Sequence, residues 1–189
     1  RGKRQCLGVP LFDVDSRVID PETGQELGIR QSGEIISTSQ CLFSGYWNNP
    51  EATEAAFIEH DGIRFFRTGD VGYFDEDGYF FMADRLKRMI NVSGYKVWPS
   101  EVENIIYQNE KILENCIIPC NKNDRGESVK AIVVLKDQQE MTEDEFKKWC
   151  QEHMSAYKVP KVVEFTTELP KTASGKINWR LLQDKEMNA

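Results

Sequence analysis

The sequence has no excess of positive charge, which limits the partners it can bind. Its 189 residues include 24 lysines and arginines against 31 aspartates and glutamates, a formal net charge of −7. Broad binding to nucleic acid depends on a basic face that neutralises phosphates. The composition therefore argues against a nucleic-acid-binding protein. Any anionic ligand must be held by local clusters of basic residues.

Long hydrophobic runs are also missing. No apolar stretch reaches the roughly 20 residues that a membrane-spanning helix needs, and no secretory signal opens the chain. We therefore expect no transmembrane segment and a location in the cytoplasm.

Cysteine and histidine are sparse. Five cysteines, an odd number without a framework spacing, are typical of free thiols in a reducing compartment. Cys116 and Cys120 could form a metal pair, but no second Cys or His pair has a suitable spacing. His60 and His153 stand alone in the sequence, and the apolar helical spacing around His153 favours a core position. We therefore expect no metal site, and buried structural cysteines at positions 116 and 120.

The order of sequence patterns predicts two regions of different structure. With 40% hydrophobic and 29% charged residues, the chain is typical of a globular protein. Residues 11–47 are rich in strand-forming residues, and residues 71–74 and 79–82 flank the turn Asp75–Gly78 as a β-hairpin. Beyond residue 84 helices and strands alternate. We predict an α+β fold in which a β-rich region precedes a small mixed α+β domain.

The stretch from Asp84 to Glu103 connects these two regions without a spacer. It begins with charged residues, continues as an apolar strand around Ile90, and turns at Gly94. Ser100 followed by Glu103 predicts a capping box at the start of a helix. The composition shift near residue 84 is the predicted domain boundary.

Two loops carry polar residues that suit a ligand. Asp70 ends a loop entering the hairpin, and its carboxylate suits either the capping of a turn or hydrogen bonds from a ligand's hydroxyl groups. Lys176 lies in a polar, glycine-containing loop. A phosphate-binding P-loop is excluded there, because that motif requires Gly where Pro170 stands and Ser or Thr where Ile177 stands. Lys176 is then either a ligand-binding lysine on a mobile loop or an ordinary exposed lysine.

Four motifs, each weak alone, follow one another in a distinctive order. They are Gly45-Tyr46-Trp47-Asn48-x-Pro50-Glu51-x-Thr53, Arg67-Thr68-Gly69-Asp70, Asp84-Arg85-x-Lys87 with Gly94-Tyr95-Lys96-Val97-x-Pro99-x-Glu101-Val102-Glu103, and Pro170-Lys171-Thr172-x-Ser174-Gly175-Lys176. Together they resemble the adenylate-forming (AMP-binding) enzymes, and most closely the acyl-CoA synthetase or fatty-acid–CoA ligase branch. The resemblance covers nearly the whole chain.

The resemblance implies a two-step reaction and a two-domain enzyme. A carboxylate and ATP, with Mg²⁺, give an acyl-adenylate and pyrophosphate, and the thiol of coenzyme A (CoA) then displaces AMP. It further implies that residues 1–83 are the β-rich end of a large N-terminal domain. Residues 84–88 would be a hinge, and residues 89–189 a small C-terminal lid domain that rotates between the two steps.

The resemblance also assigns roles in nucleotide chemistry. Asp70 matches an aspartate that binds the ribose hydroxyl groups, and Arg85 matches an arginine that contacts ribose and nucleotide. Lys96 stands where some relatives have an arginine near the nucleotide phosphate. Lys87 falls at the hinge. Lys176 matches the catalytic lysine that reaches the reacting carboxylate and the α-phosphate during adenylation.

A second set of residues corresponds to the CoA site. Ser93, Gly94 and Tyr95 match a segment that lines the CoA tunnel, where glycine lets the pantetheine arm lie against the backbone. Arg125 and Lys158 lie where some relatives contact the phosphates of CoA. No metal ligand is assigned within these residues.

The resemblance implies parts that this sequence does not contain. The Ser/Thr/Gly-rich phosphate loop, the adenine-binding segment and the acyl pocket should precede residue 1. We therefore expect the chain to be a C-terminal fragment that is inactive alone and joins the missing N-terminal part of the same protein. Alternatives are another adenylate-forming enzyme, luciferase-like or a peptide-synthetase adenylation domain, and a non-catalytic nucleotide-binding module.

Overall fold

The computed structural model describes residues 6–123 and 126–188. The chain divides into two compact units, residues 1–87 (the first unit) and residues 88–189 (the second unit). Both units combine strands with helices, which confirms the predicted α+β class. Among the described residues, no helix is both long enough and apolar enough to cross a membrane.

The described part of the first unit is an antiparallel sheet of five strands with one short helix. Its elements are β1 (Val14–Ile19), β2 (Gly33–Ser39), α1 (Pro50–Ala55), β3 (Phe57–His60), β4 (Ile63–Phe74) and β5 (Phe80–Arg85). The sheet order is β1-β2-β4-β3, and β5 pairs with the far end of β4. The long strand β4 therefore pairs with three neighbours and organises the unit.

Adjacent residues of these strands bury opposite faces of the sheet. Val18 packs with Ile35 on one face, whereas Ile19 packs with Ile36 and Phe65 on the other. This alternation follows from the two-residue period of a β-strand. The predicted strands of this region and the hairpin around Asp75–Gly78 are confirmed.

The described part of the second unit contains a β-hairpin, a three-stranded sheet and three helices. A 3₁₀ turn (Leu86–Arg88) leads into it. Its elements are β6 (Ile90–Val92), β7 (Tyr95–Val97), α2 (Pro99–Ile106), β8 (Ile112–Asn123), β9 (Gly126–Leu135), α3 (Glu143–His153), β10 (Val162–Phe165) and α4 (Trp179–Met187). The sheet order is β10-β9-β8, with β8 and β9 antiparallel and β9 and β10 parallel. Strands β6 and β7 form the hairpin.

Helices cover both faces of the three-stranded sheet. On one face Ile117 of β8 packs with residues of α2 and α3, including Ile106 and Phe146. On the other face Ile118 packs with Leu182 of α4. Full burial of a Leu, Ile or Phe side chain contributes about 1.5–3 kcal/mol to folding, so the two clusters hold α4 and the other helices to the same sheet.

The predicted capping boxes had different outcomes. The box of Thr142 and Glu145 at the start of α3 is confirmed, with both reciprocal hydrogen bonds formed. The box of Ser100 and Glu103 is wrong, because α2 begins at Pro99, two residues before the predicted first helical residue Glu101, and its N-cap is Trp98. Proline suits the first helical position since its φ is already fixed and its missing N–H is not needed there.

Two further features differ from the sequence expectations. Helix α4 was not predicted, although the Asn178 side chain caps it by accepting a hydrogen bond from Leu181 N. His153 is exposed rather than in the core, so that expectation was wrong. Its ring stacks on Trp149 with centroids 4.0 Å apart, and its Nδ1 lies 2.8 Å from the Trp149 carbonyl oxygen.

Candidate functional site

Asp70 and Arg85 face each other on neighbouring strands. They are paired in the register of β4 and β5, and Asp70 Oδ1 lies 2.7 Å from Arg85 Nη1. Asp70 therefore lies within a continuous strand and not at the end of a loop, as the sequence had suggested. Among the described residues no donor is aligned to hydrogen-bond this oxygen. This oxygen is buried, and the guanidinium group of Arg85 is the cation beside it.

Burial raises the pKa of Asp70 above its usual value of 3.8, and the positive charge of Arg85 lowers it in part. Burial acts in this direction because desolvation penalises the charged form of a carboxyl group. A partly desolvated carboxylate is a strong hydrogen-bond acceptor.

The backbone before Asp70 is held in an unusual conformation. Gly69 has φ of +69°, in the left-handed region that favours glycine. The hydroxyl of Thr68 donates to the Ile35 carbonyl oxygen at 2.6 Å and accepts from Asp70 N at 3.0 Å. These bonds link β4 to β2 and fix the direction of the Asp70 side chain.

A buried ion pair beneath this segment was not found from the sequence. The Glu34 side chain is only 2% exposed and lies 2.6 Å from Arg67 Nη2 and 3.0 Å from Arg67 Nε. Its other oxygen accepts a hydrogen bond from Gly69 N at 3.3 Å. The available signal was a single carboxylate between Gly33 and the apolar pair Ile35–Ile36. Glu34 thereby fixes two residues of the motif that contains Asp70.

A pocket of about 230 Å³ adjoins Asp70 within the first unit. Its lining residues are Leu7, Gly8, Val9, Pro10, Ser16, Ile35, Ser37, Thr68, Asp70 and Phe80. Apolar walls with a few convergent polar groups are typical of small-molecule sites. The carboxylate of Asp70 and the hydroxyl groups in this wall are suited to bind a polyhydroxylated ligand.

Lys87 is exposed in the 3₁₀ turn Leu86–Arg88. It is the last residue of the first unit. The next residue, Arg88, is bound by side chains of the second unit. Short 3₁₀ segments are frequent connectors and can mark hinges.

The segment Ser93–Tyr95 forms the turn of the β6–β7 hairpin. Ser93 has φ of +52° and Gly94 has φ of +90°, as a two-residue hairpin turn with both central residues left-handed requires. Asn91 Oδ1 accepts a hydrogen bond from Gly94 N at 2.9 Å and steadies the turn. A side chain at Gly94 would meet open space, so the backbone conformation, and not crowding, calls for glycine.

Tyr95 and Lys158 lie close together in the second unit. The exposed ring of Tyr95 stacks on Tyr157 with centroids 4.7 Å apart and an interplanar angle of 18°. Lys158 follows Tyr157, but its ammonium group is paired with Glu101 at 2.5 Å. This pairing reduces the positive charge that Lys158 can present to a phosphate. Arg125, the other predicted phosphate contact, lies outside the described residues.

Lys96 is exposed on β7, between Tyr95 and the buried Val97. Because side chains alternate along a strand, Lys96 projects from the opposite face of the hairpin from Tyr95. The structure therefore does not bring the predicted nucleotide contact Lys96 onto the face that carries the aromatic stack.

Lys176 lies on a closed turn that is exposed but not irregular. Asn178 N donates to the Pro170 carbonyl oxygen at 2.7 Å, and Thr172 N donates to the Lys176 carbonyl oxygen at 2.8 Å. Gly175 has φ of +80° and closes the turn. At its base, Lys171 pairs with Glu114 at 2.6 Å. This segment, residues 170–178, is named the Lys176 hairpin; its backbone hydrogen bonds place Lys176 directly after the turn formed by residues 173–175.

One further cluster of polar residues, Glu26, His60 and Asp61, already contains a positively charged side chain. His60, isolated in the sequence, lies 3.2 Å from Glu26 and 3.8 Å from Asp61. These three could hold a metal ion by distance, but Arg17 already supplies a cation there, 2.7 Å from Asp61 and 3.2 Å from Glu26. A second cation would be repelled, so we assign no metal to them.

Cys116 and Cys150 of the second unit are buried free thiols, and Cys120 is buried as well. Burial raises the pKa of both Cys116 and Cys150 to about 12, and for Cys116 the charge of Glu103 adds to the effect. The predicted burial of Cys116 and Cys120 is confirmed. Because the thiolate is the metal ligand, the raised pKa of Cys116 disfavours the alternative of a metal pair with Cys120.

Comparison with known proteins identifies the class of this chain. Residues 101–176 match the family described as the AMP-binding enzyme C-terminal domain. ATP-bound MatB from Rhodopseudomonas palustris superposes with a TM-score of 0.89 at 33% identity, covering 97% of this chain and 36% of MatB. Residues 101–176 therefore carry the C-terminal domain of the AMP-binding enzymes, and nearly the whole chain is similar to part of an adenylate-forming enzyme.

Named relatives narrow the comparison to carboxylate–CoA ligases. A long-chain-fatty-acid–CoA ligase of Bacillus subtilis (strain 168) is 41% identical over 186 residues, covering 98% of this chain and 32% of the ligase. A probable 4-coumarate–CoA ligase of Dictyostelium discoideum is 38% identical over 183 residues, covering 96% of this chain and 33% of its own length. The chain thus spans about a third of the length of the curated relatives it matches.

Proposed function

We propose that the chain supplies the C-terminal part of an ATP-dependent acyl-CoA synthetase, an acid–thiol ligase. The observation that carries the proposal is the similarity over nearly the whole chain to relatives named as carboxylate–CoA ligases. These names also favour CoA as acceptor over the luciferase-like, peptide-synthetase and non-catalytic alternatives. In the first step a carboxylate oxygen attacks the α-phosphorus of ATP, and the bond to pyrophosphate breaks. In the second step the sulfur of CoA attacks the acyl carbon, its proton is lost, and AMP leaves.

Asp70 and Arg85 bind the ribose of the nucleotide in this proposal. Asp70 lines the pocket of the first unit, and its carboxylate would accept hydrogen bonds from the ribose hydroxyl groups. The positive charge of Arg85 favours the charged form of the carboxylate, and Arg85 offers its remaining N–H groups to the nucleotide. Hydrogen bonds of this charged kind contribute about 1.5–3 kcal/mol each.

Lys176 acts in the first step only. Lys176 is exposed beside the turn of the Lys176 hairpin, so its ammonium group can approach the α-phosphate. A positioned cation stabilises the charge that develops on phosphoryl oxygens. Lys96 is a second candidate contact to the nucleotide phosphate, as a point charge without the bidentate geometry of arginine.

Residues 84–88 form the hinge between the large domain, which includes residues 1–83, and the mobile domain, residues 89–189. Lys87 is the residue whose backbone torsions change during the rotation. Its exposed position in a short 3₁₀ turn supports this assignment, since little packing opposes such a change. The rotation withdraws Lys176 after adenylation and brings the segment Ser93–Tyr95 to the acyl-adenylate.

The β6–β7 turn binds the pantetheine arm of CoA. Open space beside Gly94 and the exposed stack of Tyr95 on Tyr157 support this assignment. Lys158 contacts the phosphates of CoA only if its pairing with Glu101 opens or is shared. Arg125 is retained as a phosphate contact from the resemblance alone.

ATP enters as its Mg²⁺ complex, and Mg²⁺ would neutralise charge on the phosphates. We assign none of its ligands to the described residues. The clearest carboxylate of the site, Asp70, already faces the cation Arg85, so it suits hydroxyl donors better than a metal. The exposed thiol of Cys41 and the buried free thiols are compatible with a reducing compartment, and we propose the cytoplasm.

The test is product analysis with the full-length protein. The protein is incubated with ATP, Mg²⁺, CoA and a panel of aliphatic and aromatic carboxylic acids, and products are identified by mass spectrometry. We expect one AMP and one pyrophosphate for each acyl-CoA, and no product with the 189-residue chain alone. Release of ADP in place of AMP would reject an acid–thiol ligase. Release of AMP with no CoA thioester from any acid of the panel would reject it as well.

A further inference from the structure

Arg88 is the first residue of the second unit and directly follows the proposed hinge residue Lys87. Its guanidinium group lies 2.5 Å from Glu103 Oε1 through Nη2 and 3.3 Å from Oε2 through Nη1. Nη2 also lies 3.4 Å from the Ile117 carbonyl oxygen. Arg88 is therefore held by α2 and by β8 at once, whereas its neighbour Lys87 is exposed.

Glu103 is itself fixed, which makes the contact rigid. The same oxygen that binds Arg88 accepts a hydrogen bond from Ile117 N at 2.9 Å. The Asn115 side chain donates to the Glu103 carbonyl oxygen at 3.3 Å. The Arg88 and Glu103 side chains are only 13% and 16% exposed. A bidentate pair with this little exposure loses little to solvent screening and specifies one geometry.

The far side of Arg88 reaches the base of the Lys176 hairpin. Its guanidinium carbon lies 5.6 Å from the centroid of the Trp179 ring, a distance suited to a cation–π contact. Trp179 is the first residue of α4 and follows Lys176 by three positions. It also packs against the buried cluster that contains Ile118 and Leu182.

We propose that Arg88 is a positioning residue that ties the hinge to the Lys176 hairpin through Glu103 and Trp179. Rotation about Lys87 then moves the hairpin as part of a rigid body, and Lys176 arrives in one orientation. The inference rests on the proposed function, because it assigns Arg88 a purpose in adenylation. It differs from a purely structural role, which would affect both half-reactions alike.

The first test measures the two half-reactions of the full-length protein carrying Arg88→Met. We expect adenylation to fall roughly 10- to 100-fold in kcat, since a misplacement of about 1 Å can cost about 100-fold. The KM for ATP and the rate of thioester formation from supplied acyl-adenylate should change by less than about threefold. Glu103→Gln should produce the same split, and the double variant should be no worse than Arg88→Met alone, because both remove one contact.

A matched control is Lys130→Met. Lys130 is 11% exposed and binds Glu186 at 2.5 Å and Glu164 at 2.7 Å, so it holds the opposite end of α4. Lys130→Met therefore shows how far the loss of a comparable ion pair in the second unit slows the two half-reactions. If Lys130→Met gives the same split, or if Arg88→Met slows both half-reactions equally, the positioning role is wrong.

The second test does not depend on activity and uses the 189-residue chain. Hydrogen exchange of the Thr172 amide, which donates to the Lys176 carbonyl oxygen, should be faster in Arg88→Met than in Lys130→Met at equal loss of thermal stability. Equal exchange in the two variants would overturn the proposal. Absence of acyl-adenylate from the unmodified full-length protein would instead reject the proposed function, and the exchange result would still decide the role of Arg88.

Discussion

Asp70 and Arg85 form an ion pair across two antiparallel strands, with 2.7 Å between Oδ1 and Nη1. The arrangement is open to solvent on the arginine side and partly buried on the aspartate side. Because Asp70 also lines the pocket of the first unit, we propose that the pair binds a ligand and does not serve stability alone. The first two predictions follow from this relationship.

Removal of the Asp70 carboxylate should weaken nucleotide binding. In the full-length protein we expect Asp70→Ala to raise the Kd for AMP roughly 10- to 100-fold, the equivalent of losing about 1.5–3 kcal/mol of charged hydrogen bonding. Calorimetric titration measures the change. Asp77→Asn, which removes an exposed carboxylate from the β4–β5 turn, is the control and should leave the Kd unchanged. An unchanged Kd in Asp70→Ala would remove Asp70 from the site.

Asp70 should also impose a pH-dependent cost on the ligand-free chain. Its pKa is raised in the folded state because burial disfavours the charged form, so folding loses stability as the pH rises through that pKa. Asp70→Asn should therefore raise the thermal midpoint of the 189-residue chain at pH 7. The gain should shrink as the pH falls through the raised pKa toward the usual value of 3.8, because folded Asp70 takes up a proton in this range. A gain independent of pH would show that ionisation of Asp70 is not its cause.

The thiols should differ sharply in reactivity. Cys41 is exposed, whereas Cys116 and Cys150 are buried with pKa values raised to about 12. At pH 8 alkylation of the native chain should label Cys41 first, while Cys116 and Cys150 react only after unfolding. Peptide mapping by mass spectrometry follows each site, and Cys41→Ser should abolish the fast phase. Rapid labelling of Cys150 in the native chain would contradict its burial.

Proline at the hinge should separate the two half-reactions. Lys87→Pro fixes φ near −65° and removes one N–H, so we expect the full-length protein to hold one orientation and to lose one half-reaction much more than the other. Lys87→Ala is the control for loss of the side chain and should retain both. Equal losses of both half-reactions in a folded Lys87→Pro protein would place the hinge elsewhere.

Local signals explain which parts of the fold could be predicted. The β4–β5 hairpin and the capping box of Thr142 and Glu145 depend on residues close in sequence, and they were predicted correctly. The family resemblance likewise rests on short ordered motifs. By contrast, the partners of Glu103 include Arg88 and Ile117. A capping-box pattern at positions 100 and 103 cannot reveal that the Glu103 carboxylate binds residues distant in the sequence and does not cap α2.

The candidate site shows the same division. Asp70 and Lys176 were located from motifs, but the buried Glu34 beneath the Asp70 motif comes from a distant strand. The pairing of Lys158 with Glu101 joins residues far apart in sequence, so no local pattern indicated that this lysine is already paired. From its composition, the segment around Lys176 was predicted to be a mobile polar loop. Backbone hydrogen bonds order it in the structure, and composition does not reveal them.

The most direct test of the account measures adenylation and thioester formation separately in the full-length protein carrying Lys176→Ala. A charge-assisted donor on developing phosphoryl charge is worth roughly 3–4 kcal/mol, or about 100- to 1000-fold in rate. We predict a loss of that size in acyl-adenylate formation and only a few-fold change in thioester formation from supplied acyl-adenylate. Lys171→Ala, which removes the pair with Glu114 at the base of the same hairpin, should have the smaller effect. Equal damage to both steps by Lys176→Ala, or an equal adenylation defect in Lys171→Ala, would contradict the account.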